Sequence, residues 1–120
     1  RRMLLNLMIR NQDDHTKNIG FLMNRQGHWS LAPAYDVTYA YNPEGDWTSM
    51  HQMSVNGKRD GFTLDDLIEC GKAADIRERK VRELVAELEA TVRKWSEFAS
   101  EAGVPERWAA SIESTFRILN

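Results

Sequence analysis

The chain has 120 residues, 42% of them hydrophobic and 28% charged, with a formal net charge of -2 at pH 7. That balance is ordinary for a globular domain able to bury one core, and the total charge argues for neither a nucleic-acid nor a membrane partner. Cys70 is the single cysteine, which excludes an internal disulfide, and no apolar run approaches the roughly 18 residues that span a bilayer. No signal-peptide pattern is visible, so one compact unit in a reducing cytoplasm is expected.

Residues 3 to 9, Met-Leu-Leu-Asn-Leu-Met-Ile, are almost wholly apolar, and their residue types favour the end of a buried helix over a strand. Residues 11 to 18 are polar without a period and read as a loop. Ile19 to Met23 reads as a strand, Asn24-Arg25-Gln26-Gly27 as a turn, and His28 to Leu31 as the returning strand. Pro33 lacks a donor and stops the ladder. Tyr39, Tyr41, Pro43, Gly45 and Trp47 mark residues 38 to 50 as a functional surface loop, with a packed aromatic loop as the plainer alternative. His51 to Val55 reads as a short strand before an Asn56-Gly57 turn. Lys58 and Arg59 read as a solvated turn.

The remainder reads as helical. Thr63-Leu64-Asp65-Asp66 has the form of a capping box, and Gly71 is suited to end that helix. Asp75, with Glu78 three residues on, is expected to cap the next. From there Val81, Leu84, Val85, Leu88, Val92, Trp95, Phe98, Ala99 and Ala102 recur at three and four, which predicts one helix of about 27 residues stopped by Gly103. Charges of mixed sign among them, including Arg82, Glu83, Glu87, Glu89 and Arg93, predict a solvated face. Pro105 opens a last helix with Trp108, Ile112, Phe116 and Leu119 on one face. The expected fold is mainly α with a small antiparallel β hairpin. Residues 1–120 form a single unit, with site loops in 1–60 and a helical scaffold in 61–120.

The chemistry concentrates between the first helix and residue 36. Asp13 and Asn18 are separated by four residues. Protein kinases use that spacing on one catalytic loop. The Asp accepts the proton of the attacking hydroxyl, the Asn offers an oxygen to magnesium, and a further Asp on the next strand or loop holds the metal as well. Asp36 is the acid in that place. Magnesium takes hard oxygens and keeps several waters, so a carboxylate, an amide and substrate phosphates suffice. The intervening hairpin would hold Asn18 and Asp36 within reach of one ion. An Asp and an Asn at this spacing occur by chance in many proteins. The ordered set of apolar helix, D-x-H-x-K-N, hairpin and Asp in an aromatic setting is more specific.

The stretch Asp13-Asp14-His15-Thr16-Lys17-Asn18, together with Leu31-Ala32-Pro33-Ala34-Tyr35-Asp36, resembles the C-terminal lobe of the HipA-like serine/threonine kinases. These are bacterial toxin kinases paired with a small DNA-binding antitoxin. The D-x-H-x-x-N core is also similar to kinases of the phosphatidylinositol 3-kinase type, but the L-A-P-A-Y-D stretch favours the HipA-like family. The resemblance covers residues 3 to 60 and extends loosely over the helical remainder. It implies a protein-kinase-like C-lobe. It makes Asp13 the catalytic base in preference to Asp14, which falls at a variable motif position, and makes Asn18 and Asp36 the magnesium ligands. His15 and Lys17 match motif positions beside the ATP phosphates, Lys17 neutralising the transferring group and His15 bracing the loop. Their plainer readings are a hydrogen-bonded, partly buried histidine and a solvated lysine.

The function implied is ATP- and magnesium-dependent phosphorylation of a protein hydroxyl, for this family on targets that include a tRNA-charging enzyme, with growth arrest as the outcome. No Gly-rich phosphate loop and no strand lysine precede Asp13, and a complete kinase needs both. The expectation is therefore a piece of a larger kinase, inactive alone. A second reading is a degenerate kinase lobe that binds an antitoxin. A third takes Asp13, Asp14, His15 and His51 as a metal hydrolase site, although their spacing fits no dedicated zinc pattern.

Overall fold

The computed structural model describes residues 1–119. Five helices and one hairpin make up its regular structure: α1 (Arg2–Met8), β1 (Phe21–Met23), β2 (Trp29–Leu31), α2 (Leu64–Ala73), α3 (Glu78–Val92), α4 (Trp95–Glu101) and α5 (Glu106–Glu113). The mainly helical chain with one two-stranded antiparallel hairpin agrees with the expected class.

The core lies where α1, α2 and α3 meet. Leu4, Leu7 and Met8 of α1 pack with Leu67 and Ile68 of α2 and with Val81, Val85 and Val92 of α3; Val55, Phe62 and Leu119 close the cluster from the connecting segments. Each such side chain contributes about 1.5–3 kcal/mol on leaving water. Leu7 is 1% exposed. Leu7→Ala is expected to destabilise the protein by about 2–5 kcal/mol, read from the midpoint of urea unfolding at constant slope.

The start of α2 is the predicted capping box. Thr63 Oγ1 accepts from the Asp66 N–H, and the Asp66 carboxylate accepts from the Thr63 N–H at 2.8 Å. The same buried carboxylate also takes Lys58 Nζ at 2.8 Å and Asn56 Nδ2 at 2.9 Å, so Lys58 is not merely solvated. Asn56 and Gly57 both have positive φ, 51° and 76°, which makes the turn that aims these two donors at α2. Lys58 first, then Asn56 and the Thr63 N–H, hold the Asp66 carboxyl far below the usual carboxylate range against the opposing pull of burial. A depressed folded pKa stabilises fully above the unfolded value of about 3.9, and the contribution is lost progressively as pH falls from there through the folded value. The unfolding midpoint should therefore drop more steeply from about pH 5 to pH 2 in the wild type than in Asp66→Asn. Parallel curves would contradict this.

Four expectations about the helices are corrected. Gly71 lies inside α2, where a Cβ would come within 2.5 Å of Val81 Cγ2, so it permits close packing of α2 on α3 and does not end the helix. Asp75 does not cap α3. It sits at φ 56°, donates its N–H to Lys72 O, and with the bond from Ile76 N–H to Gly71 O terminates α2 as a Schellman motif. The long helix is two, interrupted at Arg93 and Lys94. Thr91 Oγ1 bonds back to Glu87 O, a pattern that bends helices. Beyond the break, Trp95 Nε1 donates to Ala109 O at 2.9 Å and its ring meets Phe116 edge-on at 5.4 Å, so α4 is tied to the C-terminal region instead of following α3. Glu89 is not on a solvated face. It is buried and accepts the Leu119 N–H at 2.8 Å.

Gly103, at φ 72°, ends α4 as expected. Trp108 is largely exposed, and Phe116 and Leu119 lie beyond α5, so the predicted single apolar face of the last helix is not formed. The strand expected at residues 51 to 55 reduces to one bridge, Val55 with Lys58. The hairpin is shorter than expected, with Phe21 opposite Leu31 and Met23 opposite Trp29. These four side chains share one face, and each is more than half exposed.

Candidate active site

The site is assembled by backbone pairing between the loop after α1 and the loop after Asp36. Arg10 turns the chain at φ 59° as α1 ends. Asn11 then bridges Ala40 in parallel, with Gln12 N–H donating to Ala40 O and Ala40 N–H donating to Arg10 O, each at 3.1 Å. This pairing, more than the hairpin alone, brings the two acidic stretches together. Buried Asn11 completes it, donating Nδ2 to Asn6 Oδ1 at 3.1 Å and to Asp36 O at 3.0 Å.

Asp36 sits at φ 53°, a left-handed conformation that Asp tolerates better than most residues. Asn11 holds its carbonyl, leaving the side chain to point elsewhere. The preceding Tyr35 OH donates to Lys17 O at 2.7 Å and lies against Gly20, where a Cβ would meet its hydroxyl at 3.3 Å. Residues 16 to 18 form a single 3-10 turn, and Asn18 Nδ2 donates to Asp13 O at 3.1 Å. With the amide nitrogen committed in this way, Asn18 Oδ1 remains as an acceptor.

A cavity of about 220 Å³ opens here, lined by Arg2, Asp14, His15, Asn18, Tyr35 and Asp36 among others. His15, Asn18 and Asp36 therefore line one cavity; Asp13 and Lys17 are not among its lining residues. Asp13 is half-buried beside the cavity, and Lys17 is exposed. Among the described residues no hydrogen bond or ion pair engages the carboxylate of Asp13 or of Asp36. Arg2 and His15 line the cavity, and Arg2 Nη1 and His15 Nδ1 are buried with no partner among the described residues. Arg2 Nη2 is anchored to Ala32 O at 2.8 Å. A buried donor left unpaired costs about 1–3 kcal/mol, so Arg2 Nη1 is a place for an acceptor.

Asp14 has the opposite character. It is buried; Oδ2 takes His51 Nδ1 at 2.9 Å, and Oδ1 takes the N–H groups of Gln52 at 2.8 Å and Met53 at 3.4 Å. Burial pushes its carboxyl up, but the His51 hydrogen bond and the two backbone N–H groups outweigh this and hold it below the usual range. Its acceptor oxygens are committed to the fold. His51 is fully buried and reaches Arg117 through Nε2 at 2.7 Å. Arg2 and Arg117 carried no role in the sequence reading, and His51 entered it only as a member of the metal-hydrolase alternative. His51 lay in a stretch similar to the family, but a lone histidine has no periodic signal, and Arg117 lies 66 residues away.

The hydrolase centre is not assembled. Asp14 and His51 are paired with each other, and among the described residues no group of three or more His, Cys, Asp or Glu is placed to hold a metal ion. The aromatic loop is not one packed cluster either: Tyr41 stacks under Arg10 at 4.4 Å and Tyr39 OH accepts from Thr115 Oγ1 at 3.2 Å, whereas Trp47 is 73% exposed. Among the described residues no helix is long and apolar enough to cross a membrane.

A family model described as the HipA-like C-terminal domain matches residues 1–95. No curated protein and no solved structure matches the chain. Because the match takes in α1, both acidic stretches, the hairpin and the whole of α2 and α3, the chain belongs to the HipA-like C-terminal domain family.

Proposed function

We propose that the protein carrying this chain is a cytoplasmic, ATP- and magnesium-dependent serine/threonine kinase of HipA-like toxin type, and that residues 1–120 belong to its kinase-like C-lobe. The observation that carries this reading is the convergence of His15, Asn18 and Asp36 on one cavity, beside an Asp13 whose carboxylate is unengaged among the described residues. Asn18 and Asp36 both line this cavity and carry hard side-chain oxygens, which fits magnesium bound by few protein ligands and by nucleotide phosphates. Bound there, magnesium would neutralise charge on the transferring phosphoryl group.

The chain's own residues do the rest. Asp13 takes the proton of the protein hydroxyl as that oxygen attacks. In this reading His15 braces the loop beside the nucleotide phosphates, and Lys17 adds positive charge to neutralise the transferring group. The partners in this reading are a protein substrate and a small DNA-binding antitoxin. The test is phosphate transfer from ATP to a protein hydroxyl in the full-length protein freed of antitoxin. Magnesium-dependent transfer is expected. Its absence would favour the second reading, an antitoxin-binding lobe with a degenerate site, for which the exposed face of Phe21, Met23, Trp29 and Leu31 offers a surface.

A further inference from the structure

We propose that Asp14, His51 and Arg117 form a positioning chain that fixes the loop from Asp13 to Asn18 for catalysis, an inference that rests on the kinase reading above. Arg117 lies in the segment after α5, yet it reaches the site's foundations. Its N–H donates to Met8 O at 2.9 Å, at the end of α1. Its guanidinium donates to His51 Nε2 at 2.7 Å, to Gln12 Oε1 at 3.3 Å and to the carboxylate of Asp60. Gln12 in turn donates to Thr48 O at 2.9 Å. Arg10 secures the same segment by donating Nε to Thr115 O at 2.8 Å.

A guanidinium only donates, so His51 Nε2 must be a bare acceptor, and the ring proton sits on Nδ1 and points at Asp14. The partners on both sides thus select one neutral tautomer. Phe62 closes the assembly, its ring edge-on to His51 at 5.3 Å and under the Arg117 guanidinium at 5.3 Å. The chain ends on the residue next to the proposed base. Apolar side chains of similar volume would fill this space at no electrostatic cost, whereas a buried polar chain is tolerated only when every member is satisfied. What it adds is orientation: Asp14 is held at both oxygens, so the peptide joining it to Asp13 has one position. Misplacement of a reacting group by about 1 Å costs roughly a hundredfold in rate.

The test uses the full-length protein. Arg117→Met and His51→Leu should lower kcat by about a hundredfold with the KM for ATP within about twofold. His51→Asn keeps a donor in the Nδ1 place and should recover about tenfold over His51→Leu. In the wild type, the imidazole 15N resonances of His51 should show protonated Nδ1 and bare Nε2, a readout that survives if a variant does not fold. Full kcat in folded variants, equal loss in His51→Asn and His51→Leu, or a His51 carrying its proton on Nε2 would overturn the proposal. A wild type that transfers no phosphate overturns the kinase reading itself. An active wild type with fully active variants overturns only the positioning chain.

Discussion

Asp13→Ala and Asp36→Asn, each made in the full-length protein, should reduce magnesium-dependent phosphate transfer from ATP by at least about a hundredfold while leaving the fold intact. General-base catalysis is typically worth about 10²–10⁴ in rate, and in the proposed reading Asp13 is the carboxylate that supplies it. Asp36 loses its charge in the Asn variant but keeps a side chain that tolerates φ 53°, which Ala at that position would strain by about 1–2 kcal/mol. Neither carboxylate has a hydrogen-bond partner among the described residues, so its removal orphans no donor. Stability should stay within about 1 kcal/mol of wild type, read by urea unfolding. Full activity in both variants would sink the assignment of roles.

Asp14→Ala differs from both in costing stability, of the order of 3 kcal/mol. It leaves the buried Nδ1–H of His51 and the N–H groups of Gln52 and Met53 without their acceptor. The figure comes from the groups stranded, not from the carboxyl's titration. Two adjacent aspartates, indistinguishable by residue type, thus separate by measurement. One variant is folded and inactive, and its neighbour is destabilised. An Asp14→Ala protein with wild-type unfolding behaviour would contradict the buried network.

The parts of the fold legible from sequence are those set by neighbours in the chain. The apolar run of α1, the Thr63 capping box and Gly103 act within one or two helical turns, and each was found where local chemistry placed it. The hairpin itself was legible, but its register was not: Met23 pairs with Trp29, so the loop takes in His28, which the four-residue turn had left in the strand. What stayed hidden depends on contacts between distant segments. Unbroken three-four periodicity from Val81 to Ala102 carries no sign that Trp95 is tied to Ala109, and so none that the helix bends there. Glu89 looks solvated until the Leu119 N–H arrives to satisfy it. Gly71 resembles a helix stop because Gly is the usual one, while its actual role depends on Val81 of the facing helix.

The candidate site divides on the same line. Spacing singled out Asp13, Asn18 and Asp36 as candidates, and the last two line one cavity. The pairing of Asn11 with Ala40, the unpartnered Arg2 and the chain from Asp14 through His51 to Arg117 leave no interval to read. Their partners lie between 29 and 66 residues apart in the pairs Asn11–Ala40 and His51–Arg117.

The measurement that bears most directly on the division of labour at this site is calorimetric titration of the full-length protein with magnesium-ATP, wild type beside Asp13→Asn and Asp36→Asn. If Asn18 and Asp36 hold the metal and nucleotide while Asp13 only moves a proton, Asp13→Asn binds magnesium-ATP as the wild type does, and Asp36→Asn loses the magnesium-dependent part of the affinity. Unchanged magnesium-dependent binding in Asp36→Asn, or its loss in Asp13→Asn, would contradict that account.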